Sequence, residues 1–420
     1  MKRSYYLIAL ILLTFFVISF LTNIIGPLIP DIIESYSLNL TLAGLLPFAF
    51  FIAYGVMSIP SGMMVEAWGE KRVMMAAFGL AAVAALLFAV FPVYQVYVVS
   101  LFLIGAGMAM LQVAINPLLR VAGGEAHFAF NSVLGQLFFG AASFLSPLVY
   151  AYLVQRLGTP QAETDWLLRS LSALVPEGMS WISLYWLFAI VAGLMVLILA
   201  VSAFPKVERK EEEKTGALHT HLKLLKNPLV ILYFLGIFAY VGMEQGVANW
   251  ISAFLQHYHE VDPQSLGAKT VSRFWGLMTA GAVLGLVMLK LLDSRKVLAG
   301  FTLAAMICLA MALFGSRTVA LWCFPLVGFF ASVMWSIIIS LALNSVREHH
   351  GSFSGILVTG IAGGAVMPLV VGALGDWLGL RLGMLFLYLC LGYILSMAFW
   401  ARPLVNNATL GARQREKEQV

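Results

Sequence analysis

Apolar stretches long enough to cross a bilayer recur along the chain, and short polar or charged segments interrupt them. A hydrocarbon core about 30 Å thick takes roughly 20 helical residues. Every backbone N–H and C=O inside it must bond within the segment, as a helix allows. The pattern predicts twelve helices, near 5–28, 41–65, 73–91, 96–119, 128–154, 181–204, 228–256, 271–292, 298–315, 320–345, 353–375 and 382–401. The first run follows Lys2 and Arg3 and continues to about Gly26 without a small-x-small cleavage site. It therefore reads as a retained span rather than a signal peptide.

The one long charged segment, KVERKEEEKTGALHTHLKLLKN (206–227), divides six spans from six. The expected organisation is an N-terminal six-helix bundle (1–204), a linker (205–227), a C-terminal six-helix bundle (228–402) and a charged tail (403–420). Weak internal repeats support it. GAASFLSPLVYA (140–151) aligns with IAGGAVMPLVVG (361–372), placing Pro147 over Pro368, and LFLIGAG (101–107) aligns with FPLVGFF (324–330). Parallel six-helix repeats about an axis normal to the membrane are a transporter plan. The fold class is thus an all-α membrane protein, with twelve transmembrane helices in two pseudo-symmetric bundles. WLLRSLSALV, within 155–180, reads either as a short amphipathic helix on the membrane surface or as an ordinary loop.

Composition removes the other broad classes. The chain is 61% hydrophobic and 11% charged, whereas ordinary soluble domains carry roughly 25% charge. Soluble enzymes, disordered chains and single-anchor receptors are excluded, and little lies outside the lipid. The three cysteines, Cys308, Cys323 and Cys390, sit in apolar stretches and form neither a disulfide framework nor a metal-ligand spacing. No P-loop is present, which argues against a nucleotide-driven pump. Neither a resident cofactor nor a nucleic-acid partner is expected. With the N-terminus cytoplasmic, nineteen of the 25 Lys and Arg fall on the inner side, and the positive-inside rule then places both termini in the cytoplasm of a multi-pass inner-membrane protein.

Polar groups at membrane depth are where a transport path is sought, because lipid-facing positions do not tolerate them. Helix 7, FAYVGMEQGVANWISAFL, holds Glu244, the one carboxylate placed so deep, together with Gln245, Asn249 and Trp250. An ionised carboxylate there needs a cation or a proton, so Glu244 is the candidate coupling residue, with a structural hydrogen bond between helices as the other reading. Gln245 and Asn249 share one helix face. Gln112 and Asn116 repeat that spacing in helix 4, helix 5 adds Asn131 and Gln136, and helix 1 adds Asn23. Amides donate and accept, which suits a polyhydroxylated neutral ligand, although buried amides also simply join transmembrane helices. Trp250, Trp275 and Trp335 offer flat faces for the CH surface of a sugar ring. Adding the repeat offset of 221 to Asn23 gives Glu244, so these two are expected at similar depth across a central cavity.

Several stretches of the chain resemble a known family. PSGMMVEAWGEKR (60–72) is similar to the loop 2–3 signature of the major facilitator superfamily, with Gly62, Gly69, Lys71 and Arg72 in the family positions and Glu66 in place of the usual aspartate. KLLDSRK (290–296), with Asp293 and Arg295, resembles its weaker second copy. The resemblance implies that these charges clamp the inner ends of helices in the outward-facing state. More narrowly, FLTNIIGPLIPDI (20–32), LQVAINP (111–117), FWGLMTAG (274–281) and NSVREHHGSFSGILVTGIAGGAVMPLVVGALGD (344–376) resemble the fucose–galactose–glucose:cation symporters. Implied are alternating access and sugar uptake driven by a proton or sodium ion. Family proton symporters carry an acid where this chain has Gln112 and an aspartate where it has Gly26, while Glu244 stands where some sugar-transporting relatives also carry an acid.

The expectation is a monomeric secondary transporter for a small neutral sugar or sugar-like metabolite. Asn23, Gln112, Asn116, Asn131, Gln136, Gln245, Asn249 and Trp250 would line the site, with Glu244 coupling a cation. The alternatives are an uncoupled sugar facilitator and a proton-coupled efflux antiporter for amphipathic compounds.

Overall fold

The computed structural model describes residues 5–123, 128–157, 165–204, 223–345 and 350–403. Among the described residues, twelve helices are long and apolar enough to span a membrane. They are α1 (Tyr5–Tyr36), α2 (Leu40–Trp68), α3 (Glu70–Val90), α4 (Tyr94–Ile115), α5 (Asn131–Leu157), α6 (Ser180–Val201), α7 (Pro228–His259), α8 (Pro263–Leu291), α9 (Ser294–Phe314), α10 (Arg317–Leu343), α11 (Phe353–Leu378) and α12 (Leu380–Trp400). No strand occurs among the described residues. Most of the expected linker and tail, residues 205–222 and 404–420, lies outside them. The 166–174 segment is a helix, Trp166–Leu174, that buries Leu168 and Leu171 and leaves Trp166 exposed.

The largest departure from the sequence pattern is α1. It breaks at Asn23–Ile24, resumes as a second helix from Ile25 to Tyr36, and so carries Asp31 inside the span. Glu244 is therefore not the only carboxylate within a span. The sequence pattern ended this helix near residue 28. Pro27, however, falls in the first turn of the resumed helix, where an N–H has no intrahelical partner to lose. Asp31, 6% exposed, accepts hydrogen bonds from the Tyr150 hydroxyl at 2.6 Å and Gln264 Nε2 at 3.1 Å. The tertiary fold thus supplies the partners that a buried carboxylate requires.

The two six-helix bundles meet along three seams, each built on a close approach. At α1–α7, a Cβ on Gly26 would stand 2.5 Å from the Ala248 carbonyl oxygen and 3.0 Å from Asn249 Cα. At α2–α11, a Cβ on Gly44 would stand 2.9 Å from Leu369 Cα. At α5–α8, Ser272 Oγ donates to the Phe144 carbonyl at 2.7 Å. Gln155 Nε2 adds a bond to the Gln264 carbonyl at 3.0 Å. These contacts close the bundle at the end away from the termini.

At the other end, the loop charges hold their own halves. Lys71 Nζ donates to the carbonyls of Ala200 (2.9 Å) and Ser202 (2.7 Å) at the end of α6. Arg295 pairs with Asp293 at 3.1 Å and reaches the Ala401 carbonyl, past the end of α12, at 3.5 Å. Both cations sit on carbonyls that a helix C-terminus leaves unbonded, where its dipole favours positive charge. Glu66 and Arg72 are exposed at the same end. The resemblance implies a clamp on the inner helix ends in the outward-facing state; in this arrangement Lys71 and Arg295 make pseudo-symmetric caps within their own halves.

Two outcomes follow. Gly26→Val should force α1 off α7 and cost about 1–3 kcal/mol, read as a lower unfolding midpoint, while Gly79→Ala, inside a helix with nothing within 4 Å of the added Cβ, does not lower it. The Arg295 guanidinium holds the Asp293 carboxyl below the usual carboxylate range, so Arg295→Ala should raise it on NMR titration. A depressed native value stabilises above the unfolded carboxylate range and loses that stabilisation as pH falls through the native value. With the two side chains 34% and 27% exposed, the loss stays within about 1 kcal/mol.

Candidate functional site

Glu244 lies in the middle of α7, and Tyr240 lies one turn earlier on the same face. The Tyr240 hydroxyl donates to Glu244 Oε1 at 3.3 Å. The Tyr240 ring lies 6.1 Å from the Trp335 ring of α10, inclined at 55°. Trp335 follows the break in α10, where the first helix ends at Ala331 and the second starts at Met334. Tyr240 is buried, whereas Glu244 and Trp335 keep part of their surface open. An acid, a phenol and an indole face thus stand together at mid-membrane depth. This is chemistry that can hold a proton or cation beside an apolar face on which a ring can stack. Tyr240 was missed in the sequence, although its i,i+4 relation to Glu244 was a usable signal.

The amides divide into two groups. Asn249 Nδ2 donates to the Gln245 carbonyl at 2.8 Å and to Gln245 Oε1 at 3.2 Å, and both residues are buried. Asn23 Nδ2 donates to Ser143 Oγ at 2.8 Å and Ser19 Oγ at 3.3 Å. Ser19 in turn bonds Ser143 and the Phe139 carbonyl, each at 2.6 Å, so these groups join α1 to α5. Gln136 is exposed and Gln112 partly exposed. Asn131 is 1% exposed and its Nδ2 has no bonding partner among the described residues, while the side chain of Asn116 lies outside the described set. Asn23 and Glu244 each lie about one helical turn before the Gly26–Ala248 contact. They stand at similar depth, but on touching helices rather than across an open cavity.

Trp250 departs from the expected stacking role. Its ring is fully buried, and its indole N–H donates to the Pro368 carbonyl of α11 at 3.0 Å. Trp275 is also buried, with its N–H unpartnered, which leaves Trp335 as the partly open ring of the three. The Gly26 position, where the resembling family carries an aspartate, is filled by the backbone of α7 and admits no side chain in this arrangement. No cluster of three or more His, Cys, Asp or Glu side chains able to hold a metal occurs among the described residues.

Comparison with known proteins agrees with this architecture. The family model for the Major Facilitator Superfamily matches residues 11–367. A glucose/galactose transporter of Brucella abortus is 31% identical over 91% of this chain and 90% of the relative. The L-fucose-proton symporter of Escherichia coli is 26% identical over 90% and 89%. The crystal structure of FucP in the outward conformation superposes with a TM-score of 0.68 at 23% identity, covering 94% of this chain and 98% of that one. A family model spanning most of the chain, twelve spans and the shared fold together establish that the chain belongs to the Major Facilitator Superfamily.

Proposed function

We propose that this protein carries a small neutral sugar or sugar-like metabolite across the inner membrane by alternating access, coupled to a proton or sodium ion at Glu244. The observation that carries the reading is the Tyr240–Glu244–Trp335 cluster. It joins a partly open acid to an aromatic face inside a span, with no basic side chain bonded to the acid among the described residues. Relatives named for glucose, galactose and fucose–proton transport support the substrate class. Gln112 and Gln136, both with open surface, are the amides best able to meet sugar hydroxyls. Asn23, Gln245 and Asn249 shape the helices around them, and the buried Trp250 fixes α7 against α11. The Lys and Arg distribution supports cytoplasmic termini, and the closed end then faces outward, which makes this arrangement inward-facing.

A labelled hexose panel offered to proteoliposomes, under an imposed proton gradient, an imposed sodium gradient or neither, tests the proposal. Wild type should accumulate at least one hexose under one gradient. Glu244→Gln should lose accumulation while retaining exchange. Equilibration that the substitution leaves unchanged would make the protein a facilitator. Absence of hexose movement by folded protein would overturn the sugar reading in favour of efflux. Tyr240→Phe removes one hydrogen bond to the acid and should weaken coupling-ion affinity about fivefold, corresponding to roughly 1 kcal/mol, read as a shifted ion dependence of uptake.

A further inference from the structure

Two loops at opposite ends of the bundle share one pattern. Residues 61–74 read SGMMVEAWGEKRVM and residues 371–384 read VGALGDWLGLRLGM. Gly62 falls on Gly372, Glu66 on Asp376, Gly69 on Gly379, Lys71 on Arg381 and Met74 on Met384. The structure repeats the correspondence, because the sequence of buried, half-buried and exposed positions is the same across both segments. Each loop turns on a glycine with positive φ, Gly69 at φ 79° and ψ 159° and Gly379 at φ 85° and ψ 147°. Such values favour glycine. Each of these glycines bonds back four residues, to Val65 and Gly375 respectively, at 2.9 Å.

The charges in the two loops divide the same work. In each, the cation anchors the loop in its own half. Lys71 does so on the α6 carbonyls, and Arg381 by stacking 4.5 Å from the Tyr258 ring of α7. The acid of the second loop crosses to the other half. Asp376 accepts from the backbone N–H groups of Leu40 and Thr41, each at 2.8 Å, and from the Thr41 hydroxyl at 2.5 Å. Those N–H groups belong to the start of α2, where the helix supplies no acceptor and its dipole favours an anion. Asn39, the cap within the chain itself, reaches only the Leu42 N–H. The surfaces beside this bond are shaved to backbone. A Cβ on Gly372 would press on the Leu40 carbonyl and lie 3.0 Å from Trp250 Cζ2, and Gly44 faces Pro368 and Leu369.

We infer that residues 372–381 are a second, oppositely directed copy of the 62–71 loop, and that its acid, Asp376, is a gating residue that latches the mouth away from the termini by capping α2 across the two halves. Opening that mouth separates α2 from α11 and strips the carboxylate from both amides and the hydroxyl. Closing restores all three bonds at once. The contact therefore biases the conformational equilibrium without touching substrate. The inference rests on the alternating-access part of the proposed function and not on the identity of the substrate.

Spin-label distances test it in a background with Cys308, Cys323 and Cys390 replaced by alanine. One label pair, Phe91→Cys with Thr318→Cys, reads the latched mouth, and a second, Val201→Cys with Lys290→Cys, reads the opposite one. Asp376→Asn should raise the ratio of long to short distances in the first pair about tenfold, equivalent to about 1.4 kcal/mol, and shorten the second pair in step. Thr41→Val, which removes only the hydroxyl bond, should move both pairs in the same directions by less, and it decides the matter if Asp376→Asn fails to fold. Unchanged distributions, or both pairs lengthening together as in general loosening, would overturn the latch. Shifted distances without hexose uptake would sink the sugar reading alone, and normal uptake with unmoved distances would sink the latch alone.

Discussion

Hydrocarbon offers no hydrogen bonds, so most polar groups in the spans find partners in the protein, and that requirement organises the molecule. It explains why Ser19, Asn23 and Ser143 are bonded to one another rather than left open, and why the Trp250 N–H is tied to the Pro368 carbonyl. It also explains why Asp31 stands where a phenol and an amide from two other segments converge. A polar side chain that keeps open surface at this depth, as Glu244 does, is then where the proposed transport chemistry is placed.

The same constraint shapes how the halves can move. Lipid-facing surfaces gain nothing from hydrophobic attraction between helices, so the seams rely on close packing of small residues. Gly26 and Gly44 bring helix backbones of opposite halves into contact, and Gly372 does so beside the Asp376 cap. Surfaces of this kind separate without dragging large side chains through one another. The bonds across them, at Asp376 and at Asp31, use partners that water can replace once a mouth opens. A seam of glycines with a few polar bonds at its rim suits the two positions that the proposed alternating access requires.

Cations and acids take separate tasks in this arrangement. Lys71, Arg295 and Arg381 each hold a loop to its own half, through helix-end carbonyls or an aromatic ring. Asp376 instead reaches between halves. In the proposed rocking motion, a cation on the C-terminus of a helix in its own bundle would keep that bundle rigid, while an acid on the N-terminus of a helix in the other bundle would make and break its bonds. Both tasks follow from the direction of the helix dipole.

Hydrophobic periodicity by itself determined the twelve spans, the division into two halves and the depth of Glu244, because burial in lipid leaves a run of apolar residues whatever the helices do next. The Lys71 and Arg295 loops, with Gly69 in the first of them, were likewise legible as motifs. Tertiary structure alone decided which polar residues stay open. Asn23, Gln245, Asn249 and Trp250 look like Gln112 and Gln136 in the sequence, but helix rotation and the neighbours it selects place the first group in bonded, buried contacts and leave the second with open surface. The extension of α1 through Pro27, Pro30 and Asp31 was hidden for the same reason. Its polar groups are satisfied by Tyr150 and Gln264, more than a hundred residues away along the chain, and no local pattern records a partner that only folding brings near.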